Sequence, residues 1–266
     1  MDDDQQRPLF PPELEHKIFT RSLALHLQHN IEPGSLFLVS KRVYDWLIPL
    51  YYNVVIADTD HPWPPKATEE NLKRYGQHVY HFHTVSYGLG LVDLLPLCPN
   101  ISNLAIWSAF GEEEVKAIIK LPLTHISTNF PYFFGTELDL QTFCSNLTHV
   151  DMSTVMPWEP AKILPHLPAL THISMYDEEH IPGCLVHGKL LKVVIRILLA
   201  SLGHEEPFRD ETARGKGYDD RRVVCISFGR GHLEDWKEGA FGRTDMCEFA
   251  EEVIEKRRQT QSDRVM

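Results

Sequence analysis

Three near-identical phrases decide how this chain is read: Leu123-Thr124-His125-Ile126, Leu147-Thr148-His149-Val150 and Leu170-Thr171-His172-Ile173. Each opens a longer pattern, apolar-x-x-apolar-x-apolar, that recurs on both sides. Val79-x-x-Phe82-x-Thr84 and Ile101-x-x-Leu104-x-Ile106 come before the phrases, and Leu190-x-x-Val193-x-Ile195 comes after them. Thr84 and Thr128 stand where an apolar residue is expected, so the repeat is irregular. From one central apolar position to the next the steps are 20 to 24 residues. Side chains alternate across a strand, so each pattern reads as a short strand with one apolar face.

A strand repeated at this pitch is the signature of leucine-rich repeats, in which each unit adds a strand and a helical stretch. The intervening segments supply the helices. They are 88–98, the acidic start Gly111-Glu112-Glu113-Glu114 with Val115, Ile118 and Ile119, then 136–144, and 160–167 with Pro165 near its end. Strand–helix alternation predicts parallel strands, near 79–85, 102–107, 124–127, 148–153, 171–176 and 192–197, with a further strand over 222–228. The glycine- and charge-rich segment 203–221 reads as an exposed loop. Thr244-Asp245 starts a last helix with Phe249, Val253 and Ile254 as its apolar stripe, suited to capping the open end of a solenoid. The expected fold is α/β. A short N-terminal helical segment (9–50) leads into a curved, repeat-built solenoid with parallel strands (51–228) and a C-terminal cap (229–258).

The residues between the apolar ones face the other side, expected to be concave. They form one column of His81, Asn103, His125, His149 and His172. Beside it run His83, Ala105, Ser127, Asp151 and Ser174, then Val85, Trp107, Asn129, Ser153 and Tyr176. A polar strip flanked by Trp107 and Tyr176 suits recognition of a protein target, because aromatic anchors carry much of such binding energy. The plainer reading is a repeat habit, each imidazole hydrogen-bonded to its neighbour. At a strand spacing of about 4.8 Å, His125, His149 and His172 should stack and resist being protonated together.

The N-terminal segment lies outside the repeat. Leu9-Phe10-Pro11-Pro12-Glu13-Leu14 starts a helix with proline in its first turn. Leu14, Ile18 and Leu25 share a face, with Phe19, Leu23 and Leu27 beside it. A second helix over 35–47 carries Leu36, Val39, Val43 and Leu47, with Pro49 just beyond it. The phrase 9–14 with Ile18-Phe19, then Leu36-x-Leu38-Val39-Ser40-Lys41-Arg42-Val43-x-x-Trp46, resembles an F-box. Together with Pro49-Leu50-Tyr51-Tyr52 and Asp235-Trp236-Lys237-Glu238-Gly239, the chain resembles the F-box-like proteins with irregular leucine-rich repeats of mushroom-forming basidiomycete fungi. Ser40 replaces the common cysteine of the motif. The resemblance implies a non-catalytic adaptor. Leu9, Pro11, Leu14, Ile18, Phe19, Leu36 and Val39 would bind a Skp-type adaptor of a cullin–RING ubiquitin ligase, and the repeat face would present an unknown protein target.

Composition bounds the alternatives. The net charge of −11 disfavours nucleic acid, whose binding needs cations against phosphate, and an anionic membrane surface. The start Met1-Asp2-Asp3-Asp4 is the opposite of a secretory signal. Five scattered cysteines without a C-x-x-C pair suit free thiols in a reducing cytosol or nucleus. Gly88-Leu89-Gly90 reads as a strand-to-helix turn, since Asp93 would repel a phosphate. No nucleophile or metalloprotease motif occurs, and no cofactor is expected. His78-x-x-His81-x-His83 is the best metal candidate. Two other readings stand beside the adaptor: a repeat scaffold whose N-terminal helices only cap the solenoid, and a metal-dependent enzyme using the histidine strip.

Overall fold

The computed structural model describes residues 10–28, 31–57, 62–64, 67–84, 90–107, 111–128, 133, 141–152, 158–198, 208–211, 220–227 and 231–263. The N-terminal helices are α1 (Pro12–Gln28), α2 (Gly34–Phe37) and α3 (Lys41–Tyr51). Strands and helices then alternate: β1 (Val54–Ile56), α4 (Glu69–Tyr75), β2 (His81–Thr84), α5 (Leu91–Leu94), β3 (Asn103–Ile106), α6 (Glu112–Ile118), β4 (His125–Thr128), α7 (Gln141–Ser145). They continue as β5 (His149–Met152), α8 (Pro160–Ile163), β6 (His172–Met175), α9 (Ile181–His187) and β7 (Val193–Leu198). Last come β8 (Arg209–Asp210), β9 (Val223–Ser227), α10 (His232–Ala240) and α11 (Met246–Asp263).

The nine strands form one open sheet in the order β1-β2-β3-β4-β5-β6-β7-β9-β8. Every pair is parallel except β8 with β9. The register is the one the repeat predicts, with His81, Asn103, His125, His149 and His172 directly opposite one another in turn. The strands sit within a residue or two of the expected spans. The outer edge of β1 is covered by a reciprocal backbone bridge between Ile56 and Trp63, which blunts an otherwise adhesive edge.

One face of the sheet packs on the connecting helices. Phe82, Leu104, Ile126, Val150, Ile173 and Val194 share a continuous core with Leu72, Leu95, Ile118, Phe143, Ile163 and Cys184. Successive units approach closely: a Cβ on Gly76 would lie 2.1 Å from the Leu97 carbonyl oxygen of the next unit, so only glycine fits there.

Three expectations change. The single helix expected over 35–47 is two, because the Ser40 hydroxyl accepts the Val43 N–H and starts α3 afresh. That helix then runs through Pro49, at the cost of one ladder bond. Within the loop expected over 203–221, residues 209–210 form β8 and Phe208 is buried against α11, where it stacks on Phe249. The rest of that loop's interior, 203–207 and 212–219, lies outside the described residues, as do Gly88, Leu89, Val85, Asn129 and Ser153.

The third change places the C-terminal segment. Helices α10 and α11 do not stop at an open end; they lie over the histidine side of the sheet. Trp236 and Ala240 of α10 bury Val54, Ile56 and Ala105. Met246, Ala250, Val253 and Ile254 of α11 bury Val193, Ile195, Ile197, Val224 and Ile226. The sheet is therefore covered on both sides, apolar at both ends of the second face and polar in the middle.

Candidate functional site

The polar middle is built from the Leu-Thr-His phrases. Each threonine precedes a strand, and its hydroxyl sits between the carbonyl of the preceding unit and the Nδ1 of the next residue's imidazole. Thr124 Oγ1 lies 3.2 Å from the Ser102 carbonyl and 2.8 Å from His125 Nδ1. Thr148 Oγ1 lies 3.1 Å from the Thr124 carbonyl and 2.8 Å from His149 Nδ1. Thr171 Oγ1 lies 3.1 Å from the Thr148 carbonyl and 2.8 Å from His172 Nδ1. The repeated words thus form a ladder that ties each unit to the one before and fixes each imidazole by its Nδ1 side. The rings stack face to face, with centroids 3.9 Å apart for His125–His149 and 4.1 Å for His149–His172.

The tautomer follows from the end of the stack. His172 Nε2 lies 2.9 Å from Glu251 Oε1 of α11, and an ionised carboxylate only accepts. A neutral His172 therefore carries its proton on Nε2, and its bare Nδ1 shares the single Thr171 hydroxyl proton with the Thr148 carbonyl. The rings of His149 and His172 are 7° from parallel, so His149 presents its Nε2 toward the same helix layer. Burial makes charge expensive here. It lowers His125 to about 4, aided by His172, and lowers His81 to about 4, aided by His125. His149, in mid-stack, is pushed down to about 2 by burial and then by His125, His172 and Lys192. His172 is also lowered by burial, with Glu251 opposing.

Beside the column lies a second layer. Trp107 Nε1 donates to Ser127 Oγ at 2.9 Å, and Ser127 Oγ donates to Asp151 Oδ2 at 2.6 Å. Ser174 donates to the other oxygen of Asp151. His83 is fully buried, edge-on to Trp107 and tilted against Trp236. From α10, Trp236 Nε1 donates to Asn103 Oδ1 at 3.0 Å, and His232 pairs with the Tyr176 hydroxyl. Burial and Asp151 raise that hydroxyl to about 12. A cavity of about 70 Å³ remains between sheet and helices, walled by His125, His149, Asp151, Trp236, Asp245 and Cys247 among others.

All seven residues expected to bind a target are thus on one side of the sheet, and that side is not open. His172 is buried, and His81, Asn103, His125, His149, Trp107 and Tyr176 are each partly covered. The two aromatic anchors expected for a partner, Trp107 and Tyr176, are engaged within the chain itself. His232, Trp236 and Glu251 complete the site and were not legible as its members. A signal for them existed: β7 and β9 are apolar on both faces, which calls for cover on both. The stacked imidazoles point in parallel and do not converge on one point, as a metal requires. Among the described residues no group of three or more His, Cys, Asp or Glu is arranged to hold a metal ion.

The second candidate surface is α1 and the turn before α3. Phe19, Leu23 and Leu27 face inward with Leu36, Val43 and Leu47, and Leu23 is 1% exposed. The opposite side leaves Leu14 46%, Ile18 43%, Leu38 86% and Val39 54% exposed, with Phe10 and Pro11 also at the surface. An ion pair between Arg42 and Glu15 and an edge contact of His16 on Trp46 hold that turn beside α1. Of the seven residues expected to meet an adaptor, Pro11, Leu14, Ile18 and Val39 are presented, Phe19 and Leu36 turn into the helical core, and Leu9 lies outside the described residues. No helix among the described residues is long and apolar enough to cross a membrane.

Comparison with protein-family models, curated proteins and solved structures finds no match to this chain.

Proposed function

We propose that this protein is a non-catalytic interaction adaptor of the F-box type, docking through α1 and the turn before α3 on a Skp-type adaptor of a cullin–RING ubiquitin ligase. The observation that carries the reading is the exposure of four large apolar side chains, Leu14 and Ile18 on α1 and Leu38 and Val39 in the turn before α3, on a helical unit whose other side is buried. Contiguous exposed apolar side chains on an otherwise well-packed unit mark an interaction surface. The repeat pitch and the unbroken parallel register from β1 to β7 support a leucine-rich-repeat solenoid as the body of the receptor. The reading includes an unidentified protein target, a cytosolic or nuclear setting, no cofactor, and no nucleic-acid or membrane partner. It assigns no catalysis to the histidine column, which serves as a neutral, hydrogen-bonded ladder.

Mixing the purified full chain with a purified Skp-type adaptor tests it. A one-to-one complex is expected, weakened at least tenfold by Leu14→Asp or Ile18→Asp. Absence of a complex with the parent chain overturns the reading and leaves α1–α3 as a cap on the repeats.

A further inference from the structure

We infer that α10 and the first turns of α11 form an acid-released cover: they close the histidine face of the sheet at neutral pH and lift from it when that face takes up protons. The inference stands on the build of the seam and does not depend on the adaptor reading.

The cover is held unevenly. At the far end, α11 is anchored by Ala250, Val253 and Ile254, and Arg257 donates to the Val223 carbonyl at 2.8 Å. At the near end, α10 has Trp236 and Ala240 on a small apolar patch. Between them the contacts are polar: Trp236 to Asn103, His232 to Tyr176, and Glu251 to His172. The cavity of about 70 Å³ lies in this middle section; opening there withdraws Trp236, Ala240 and Met246 from their apolar contacts, a cost that proton uptake by the column has to offset. Helix α10 and the start of α11 would lift together, because the Asp235 carboxylate accepts the Met246 N–H at 3.1 Å.

The sheet side supplies the sensor. His125, His149 and His172 are stacked, and three charges at that spacing repel one another. The groups facing them are Glu251 and Cys247 of α11, Asp245 just before it, His232 and Asp235 of α10, Asp151 of β5, Tyr176 after β6, Lys192 before β7, and His81 of β2, which couples to His125. Glu251 and Asp245 favour a charge on His172, while Lys192 opposes it. Burial outweighs the carboxylates, so the closed state binds fewer protons than an open state in which the rings meet water. The advantage of closure is complete above the ordinary histidine value near 6.5 and drains away as pH falls toward 4. Each histidine coupled to opening multiplies the open fraction by about 20 between pH 7 and pH 5.

Cys247 reports the motion. It sits in the first turn of α11 against the cavity, whereas Cys98, Cys144 and Cys184 lie in the opposite core and Cys225 in β9. The full chain is treated with 4,4′-dithiodipyridine at pH 7 and pH 5, and labelled sites are located by peptide mass spectrometry. Each rate is divided by that of the urea-unfolded chain at the same pH. Cys247 should react at least 20-fold faster at pH 5 while the other four stay protected. The double variant His125→Gln/His149→Gln should lose most of that rise. Glu251→Gln removes the one carboxylate that favours a charged His172 by direct contact, so its rise should exceed that of the parent. A flat profile for Cys247, a rise shared by all five cysteines, or a Glu251→Gln rise no larger than the parent's overturns the inference.

Discussion

The two faces of the sheet are built from the same strands and held by different physics. On one face, Phe82, Leu104, Ile126, Val150 and Ile173 meet the connecting helices in a continuous apolar core. On the other, the middle strands offer His125, His149, His172, Ser127, Asp151 and Ser174 to two helices across a partly empty seam. The first face is stabilised by the area it removes from water, which no titration alters. The second is stabilised by partner geometry and by keeping four imidazoles neutral, so it depends on pH. A repeat can therefore carry a fixed side and a conditional side in alternate residues of one strand.

The largest effect should come from breaking the fixed side. Phe82 is fully buried, and Phe82→Ala removes a ring from the middle of the first core. The expected loss is about 3–5 kcal/mol in urea unfolding. The cost should be the same at pH 7 and pH 5.5, because no titrating group touches that contribution. A cost that shrank sharply with pH would mean that the faces are not independent.

The conditional side comes next. His81 and His125 are both held at about 4 in the folded chain, against an ordinary value near 6.5. Folding then leaves them less basic than in the unfolded chain, so stability is whole above pH 6.5 and falls between 6.5 and 4. Full titration of either would cost roughly 3 kcal/mol. Urea midpoints at pH 7, 6 and 5 should decline with increasing slope, and His125→Gln should flatten the decline. A midpoint independent of pH in this range would contradict burial of the column.

Much of the first face was legible in the sequence, and the reason is periodicity. Apolar residues spaced by three and two, repeated every 20 to 24 residues, leave few options besides parallel strands in register. The second face was half legible. The order of its columns followed from alternation, but its cover did not. Phe249, Val253 and Ile254 announce that one side of a C-terminal helix is buried without saying where. Trp236 finds Asn103 across 133 positions of sequence, a pairing no local rule encodes. A histidine-rich strip also reads as solvent-facing, because the pattern does not show that His125, His149 and His172, neutral and with their Nδ1 atoms satisfied, tolerate burial. The decisive hint was in Val193, Ile195 and Ile197 together with Val224 and Ile226. They are apolar on the side where the middle strands are polar, and apolar side chains on both faces demand two layers.

A smaller effect tests the ladder that joins the faces. Thr148→Val keeps the shape of the side chain and removes the hydroxyl shared by the Thr124 carbonyl and His149 Nδ1. The expected cost is about 1–2 kcal/mol, since a partly buried ring nitrogen loses its partner. The same change at Thr84, whose hydroxyl donates to the Ala57 carbonyl, lies outside the Thr-His ladder. Ring-nitrogen chemical shifts of His149 should move in Thr148→Val and stay put in Thr84→Val. Equal shifts in both would mean that the hydroxyl does not set the tautomer.

The smallest effect on stability belongs to the residue on which the proposed docking depends most. Leu14 is on the outward side of α1, 46% exposed, while Leu23, nine residues on in the same helix, is 1% exposed and packed on Val43 and Leu47. The two leucines thus contrast the sides of one helix as the histidines and Phe82 contrast the sides of one strand. Leu23→Ala should cost about 2–4 kcal/mol by leaving a cavity in the helical unit. Leu14→Asp should stay within about 0.5 kcal/mol, because an exposed position gains or loses little by becoming polar. If Leu14→Asp is as stable as the parent and abolishes the Skp-type complex, the side chain is there for a partner. If it destabilises the chain like Leu23→Ala, α1 is buried on both sides in solution, and the exposed apolar side chains are part of the protein's own packing.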